Sequence, residues 1–395
     1  MTAHGSRRSG AIADVVGAVR LRDWALARLG GRNARCPDVS SAAWDLFLEG
    51  ERCALPLQRC LEYGDAVQVP PGHVDVYLRR VDVERARVEA ACRHLLTFAA
   101  IATRHRWPVV VLKGAAVSLT PDSAVDMEDV DVLLHPDHVD AFREALADAA
   151  YQDAGKGASA RHISGLTNGD LLNIEVHFAL DAEGTALDAN LWDRIRRIPG
   201  VEGLWTLAPI DRVWLTLIHI AVEHPNRRSN VRELLLLGSE LANAETGDRA
   251  LERRVAEHPD QIVLQRVLDE ARALSTGVSG SAALREDAAA TYAVRRMLRG
   301  AHLPQVLLRW SYQTAFAMLL GRAARRGMRQ RLLTRKGRSQ TRWLAAFEDR
   351  HATVGATLRL GGRLASALAS LIVALPVSLV SVVARRRVAA IPPAA

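Results

Sequence analysis

Val109-Val110-Val111-Leu112-Lys113-Gly114-Ala115 and, further on, Asp129-Val130-Asp131-Val132-Leu133-Leu134 are the two stretches on which the fold turns. The first is a short β-branched run that suits a buried strand, and it passes directly into a glycine where a tight turn brings backbone N–H groups forward. In the second, alternation decides the reading. Residues i and i+2 of a strand point to one face, so Asp129 and Asp131 converge on one side while Val130 and Val132 enter the core. Two hard oxygen ligands in that arrangement suit one or two Mg²⁺ ions, and such ions hold nucleotide phosphates.

Working outward, residues 81 to 106 form an expected helix with Val88, Cys92, Leu95 and Leu96 at helical spacing, ended by Trp107-Pro108. After the aspartates, Pro136-Asp137 opens a helix in which Val139, Phe142, Leu146 and Ala149 share a face, with Tyr151 packing that helix on the sheet. A third alternating run, Leu171 to Leu180, contains Ile174-Glu175-Val176-His177-Phe178. Glu175 is a candidate third carboxylate there, and His177 shares its face. Strand, helix, strand, helix and strand in so short a compass indicate a small sheet domain. Before it, Ile12, Val15, Val16 and Val19 mark one face of a helix, and Cys36-Pro37, Leu55-Pro56 and Pro70-Pro71-Gly72 break the lead-in into short helices. From Ala208-Pro209 onward the pattern is helical, with Leu234 to Leu237 as core. The expected class is α+β: residues 1–80 helical, 81–205 the sheet domain, 206–300 helical, and 301–395 a basic helical tail with an apolar segment at 364–384.

Charge is unevenly spread. From Arg295 to the end there are 19 Lys/Arg against 2 Asp/Glu, whereas residues 1–294 hold 33 against 42. That split argues against one uniformly basic nucleic-acid-binding surface and for an anionic partner of the tail alone. Residues 364–384 form an uncharged run of 21, long enough at about 1.5 Å per residue to span a bilayer. Its four serines and Pro376 weaken a spanning reading. An amphipathic helix on an anionic leaflet, a buried helix of the globular body and a partner-binding helix stand beside it. RNA is the lesser expectation, because Trp310, Tyr312, Phe316 and Trp343 are too scattered for a stacking platform around Arg322 to Arg342. Cys36, Cys53, Cys60 and Cys92 include no Cys-x-x-Cys pair, and the start of the chain lacks the clean apolar core of a signal peptide, so a cytoplasmic location is expected.

Leu112-Lys113-Gly114-Ala115, Asp129-Val130-Asp131-Val132 and Ile174-Glu175-Val176 resemble, in order and spacing, the polymerase-β-like nucleotidyltransferase superfamily. Leu-Lys-Gly before the turn, Asp-Val-Asp-Val-Leu-Leu, Glu175-Val176-His177 and Leu217-Ile218-His219 through His224 narrow the resemblance to a bacterial nucleotidyltransferase-like family with a Leu-Lys-Gly signature, over about residues 90–245. The resemblance implies a minimal nucleotidyltransferase α/β domain with a mixed sheet, and transfer of a nucleoside monophosphate from an NTP to an acceptor hydroxyl. It implies two Mg²⁺ ions on Asp129, Asp131 and Glu175, and help from Glu175 in deprotonating the acceptor. It also implies that Gly114, Ala115 and neighbouring backbone hold phosphates, with Lys113 as a point charge and His177 as an accessory group. For Lys113 the alternative is a side chain that follows the strand into solvent. The acceptor stays open: small molecule, sugar, peptide, protein side chain or RNA end. The alternative function is a catalytically silent nucleotide-binding or scaffold protein whose basic tail contacts membrane or RNA.

Two departures from the pattern stand out: Gly114-Ala115 lacks the hydroxyl of the superfamily's usual Gly-Ser turn, although the closer family tolerates alanine there, and the second is at Val125. Val125, with Asp126 beside it, lies close to where the closer family generally carries an arginine, so either the site is unusually acidic or another cation, such as Lys156 or Arg161, stands in. His219 and His224 are five apart, roughly 500° around an α-helix, and are not expected to pair as i, i+4 metal ligands do.

Overall fold

The computed structural model describes residues 3–63, 69–119, 125–154, 162–163, 165–170, 172–180, 190–243, 248–275, 282–298 and 380–391. In chain order the elements are α1 (Ala3–Leu29), α2 (Ser41–Glu51), α3 (Ala54–Tyr63), α4 (Val74–His105), β1 (Val109–Val111), α5 (Lys113–Ser118), β2 (Asp129–Leu133), α6 (Val139–Asp148), β3 (Gln152–Asp153), β4 (Leu166–Thr167) and β5 (Asn173–His177). Then come α7 (Leu191–Arg194), β6 (Arg196–Arg197), β7 (Leu204–Thr206), α8 (Pro209–Ile218), a π-helical turn (His219–Glu223), α9 (Val231–Asn243), α10 (Asp248–Glu257), α11 (Gln261–Ser275) and α12 (Ala282–Leu298). The protein is an α+β chain with a seven-stranded mixed sheet in the order β3-β4-β5-β2-β1-β7-β6.

The three expected strands are its centre. β1 runs antiparallel to β2, and β2 runs parallel to β5. β3, β4, β6 and β7 went unforeseen because each is only two or three residues long, too short for alternation to register. The helix expected from residue 81 begins at Val74, directly after a 3₁₀ turn at Pro71–His73 that uses the predicted breaker.

The sheet is covered on one face by α4 and α6. Leu95, Phe98 and Ala102 of α4 and Phe142 and Leu146 of α6 pack against Val109, Val111, Val130, Val132, Ile174 and Val176. Tyr151 joins this core, its hydroxyl 2.7 Å from His94 Nδ1. The opposite face carries Val110, Leu112 and Leu133 under Leu191, Leu207 and Leu215, and it is on this face that Asp129, Asp131, Glu175 and His177 stand. Helices from both ends of the chain share one further core: Val15 and Val19 of α1, Trp44 of α2, Tyr77 and Val81 at the start of α4, Leu234 and Leu237 of α9, and Tyr292 of α12. Ile12, expected on the same face, is half-buried.

Residues 380–389 are helical, and Ala384 and Val388 enter that same core while Arg385 pairs with Asp287 at 3.0 Å. The last five residues of the apolar 364–384 segment therefore lie in a helix packed on the body; 364–379 and the Arg322 to Arg342 stretch lie outside the described residues. Among the described residues no helix is long and apolar enough to cross a membrane.

Candidate active site

Parallel pairing of β2 with β5 sets Asp129 beside Asn173, Asp131 beside Glu175 and Leu133 beside His177. Side chains of paired residues in neighbouring strands rise from the same face, so the register alone brings the expected acids together. Asp131, Glu175 and His177 form a compact group whose ligand atoms all lie within 4.8 Å of one another, a set able to hold a metal ion. Asp129, also expected as a metal ligand, stands one strand repeat away on the same face and outside that compact group.

Asp131 is buried and doubly engaged: Lys113 Nζ lies 3.0 Å from its Oδ2 and His177 Nε2 lies 2.9 Å from its Oδ1. Lys113 thus turns inward onto the aspartate rather than following the strand into solvent. Its backbone has φ +50°, a left-handed conformation that costs a non-glycine residue roughly 1 kcal/mol or more. Burial alone would neutralise this pair, but the mutual charges win. The Lys113 ammonium and His177 hold the Asp131 carboxyl well below the usual carboxylate range, and Asp131 and Asp129 raise the Lys113 ammonium above its ordinary value. Asp129 goes the other way. Burial and the neighbouring Asp131 charge push its carboxyl up to about 7.

Glycine at 114 has a spatial reason. A Cβ there would stand 3.1 Å from Arg232 Nη2 and 3.6 Å from Val125 Cγ1. The cation absent at Val125 is therefore present in space, delivered from α9. Arg232 is buried, its Nε donating to the Asp126 carbonyl at 2.5 Å and its Nη1 meeting Glu233 at 2.7 Å. Arg227 bridges Glu233 at 3.2 Å and Glu128 at 2.8 Å, and Arg52 reaches the same Glu128 oxygen at 2.9 Å. Burial opposes the charge on Glu233, yet Arg232 and Arg227 hold its carboxyl at about 2. Lys156 and Arg161 lie outside the described residues.

Asp126 has a structural task. Its carboxylate accepts the backbone N–H groups of Ala54 and Leu55 at 3.1 and 3.0 Å, capping α3 from a distant loop. Glu51 does the same for α9, accepting the Val231 N–H at 2.6 Å and the Tyr292 hydroxyl. Sequence reasoning missed Arg52, Arg227 and Arg232. Arg227-Arg228 and Arg232 follow the histidine motif closely, and that cluster was the available signal.

Beside this site runs the π turn. Its His224 N–H donates to the His219 carbonyl at 2.9 Å, and the two imidazole rings stand 4.4 Å apart between centroids. The expectation that these histidines diverge is thereby corrected: an i to i+5 turn, unlike an α-helix, superposes residues five apart. His219, Glu223 and His224 form a second group able to hold a metal ion. Burial lowers both histidines, assisted at His219 by the nearby Lys113 charge and at His224 by His219.

Neither the curated proteins nor the solved structures yield a match to this chain. A family model described as uncharacterised nucleotidyltransferase matches residues 51–274, from the Glu51 and Arg52 contacts through β1, β2 and β5 to the end of α11. That span is more than half of the chain, and the protein belongs to this nucleotidyltransferase family.

Proposed function

We propose that the protein transfers a nucleoside monophosphate from an NTP to an acceptor hydroxyl in a Mg²⁺-dependent reaction. The observation that carries this reading is the in-register pairing of Asp131 with Glu175, with Asp129 two residues earlier and Lys113-Gly114 at the adjoining end of β1. The donor set fits Mg²⁺: hard carboxylate oxygens, one kept ionised despite burial. Bound there, Mg²⁺ would supply charge neutralisation at the phosphates and acidify the acceptor hydroxyl.

The chain's own groups do the rest in this reading. Lys113 exchanges Asp131 Oδ2 for phosphate oxygens when NTP enters, which frees a carboxylate oxygen. Gly114 and Ala115 present backbone to the β- and γ-phosphates, and Arg232 stands over Gly114 as the added positive charge. His177 holds Asp131 Oδ1 and fixes that carboxylate's orientation. Glu175 takes the proton from the acceptor oxygen as that oxygen bonds to the α-phosphorus; the bond from that phosphorus to the bridging oxygen breaks and pyrophosphate leaves.

A second reading rests on the same ion pair. With both Asp131 oxygens occupied by Lys113 and His177, a silent nucleotide-binding scaffold would need no displacement of Lys113. Thermal shifts with each of the four NTPs, with and without Mg²⁺, separate the two. The transferase reading expects stabilisation that needs Mg²⁺ and vanishes in Asp129→Ala/Asp131→Ala; stabilisation without metal dependence supports the scaffold.

A further inference from the structure

We propose that His219, Glu223 and His224 form a binding site for a divalent transition-metal ion, separate from the carboxylate site on β2 and β5. The inference stands independently of the nucleotidyl-transfer reading.

The π turn is what makes the site. In an α-helix these histidines would lie on different sides of the axis; here the i to i+5 closure brings their rings together, tilted 56° to each other, and Glu223, four residues after His219, falls on the same side. The ligand atoms of all three lie within 4.8 Å of one another, and His219 Nδ1 is 3.3 Å from Glu223 Oε2. Two ligands each about 2.1 Å from a tetrahedral zinc ion are about 3.4 Å apart. The pair already holds that separation. Two imidazoles with one carboxylate suit Zn²⁺ or Co²⁺ far better than Mg²⁺, which prefers six oxygens, and three protein ligands leave one coordination position open.

The turn is held in place from outside. Ile220 and Ala221 are fully buried, Arg228 donates from Nε to the Ala221 carbonyl at 2.9 Å, and Arg227 N–H closes the following turn on the His224 carbonyl at 2.7 Å. A π turn is uncommon, and it is found disproportionately at functional sites. Here its packing fixes two imidazoles and a carboxylate before any ion arrives, which lowers the ordering cost of binding.

Co²⁺ titration of the chelator-treated full chain, read by visible absorption, tests the proposal. We expect a strong four-coordinate band saturating at one equivalent, displaced by Zn²⁺, present in wild type and equally in Asp131→Asn/His177→Gln, and lost in His224→Gln. Glu223→Gln, which preserves shape, should weaken Co²⁺ binding at least about 10-fold and shift the band, and covers the case in which His224→Gln fails to fold by circular dichroism. A band lost in Asp131→Asn/His177→Gln but kept in both π-turn variants would assign the ion to the strands and overturn the proposal. So would a thiolate charge-transfer band, or no saturable binding to folded wild type.

Discussion

The β2–β5 strand pair and the π turn after α8 each gather three ligand-bearing side chains, and they do so by opposite means. The strands use regularity: a period of two and an in-register parallel pairing place Asp131, Glu175 and His177 together with no distortion. The turn uses irregularity, widening one helical turn so that His219 and His224 meet. A group assembled by regular structure tolerates change in its neighbours, because the ladder of backbone hydrogen bonds sets its spacing. A group assembled by a local departure depends on whatever holds the departure open, here the buried Ile220 and Ala221 and the Arg228 contact.

The largest effect that would sharpen this contrast is expected at the ligands themselves. Asp131→Asn should weaken Mg²⁺-dependent NTP binding at least about 100-fold while leaving the fold intact, measured by calorimetry beside a thermal melt. Because the change also leaves Lys113 without its counter-charge, some loss of melting temperature accompanies it; Mg²⁺-dependent NTP binding unchanged in the folded variant would instead make Asp131 a structural anchor.

Next comes the arginine network that joins the two regions. Arg232→Ala leaves Glu233 short of a partner and the Asp126 carbonyl without its donor, and should cost about 3 kcal/mol in chemical denaturation. Arg52→Ala should cost less than about 1 kcal/mol, since Arg52 is partly exposed and Glu128 keeps Arg227.

Between these two falls the cap. Asp126→Ala removes the acceptor for Ala54 and Leu55 at the start of α3, with an expected loss of about 1 to 2 kcal/mol. Asp126→Asn should recover part of it, because an amide oxygen still accepts one of the two N–H groups.

The last effect is a pH dependence. With its carboxyl raised to about 7, Asp129 binds a proton in the folded metal-free protein that the unfolded chain releases near pH 4, so its contribution to stability declines as pH rises through that window. Asp129→Asn should gain on wild type from about pH 4 to about pH 7 without metal, and Mg²⁺ should reverse the order at about pH 8. Denaturation midpoints across that range check the sign. Glu233, held at about 2, acts in the opposite direction, its contribution being lost only as pH falls below about 4.5.

The sheet centre was legible because its signals were local: β-branched runs, the Asp-x-Asp alternation and Pro136 each declare themselves within a few residues. Period alone put Asp129 with Asp131 and Glu175 with His177, each pair on one face of its own strand; that the two pairs meet was implied by the resemblance, and Lys113-Gly114 followed from its position after a strand. What escaped was long-range or irregular. Arg232 reaches Gly114 from more than a hundred residues away, so nothing near Val125 could announce it. Asp126 read as an acid in a site and is a cap for α3, a task defined only by tertiary contact. The π turn escaped because the sequence of α8 continues smoothly into it, and helical spacing assumed 3.6 residues per turn.

The most direct test of the central claim, that metal and nucleotide share the β2–β5 site, is Mn²⁺ binding to the full chain measured by electron paramagnetic resonance with and without NTP. The account predicts Mn²⁺ binding that tightens when NTP is present, as Lys113 leaves Asp131, with both the binding and the tightening lost in Asp129→Ala/Asp131→Ala. Mn²⁺ affinity that is indifferent to NTP, or unchanged in the double variant, would contradict it.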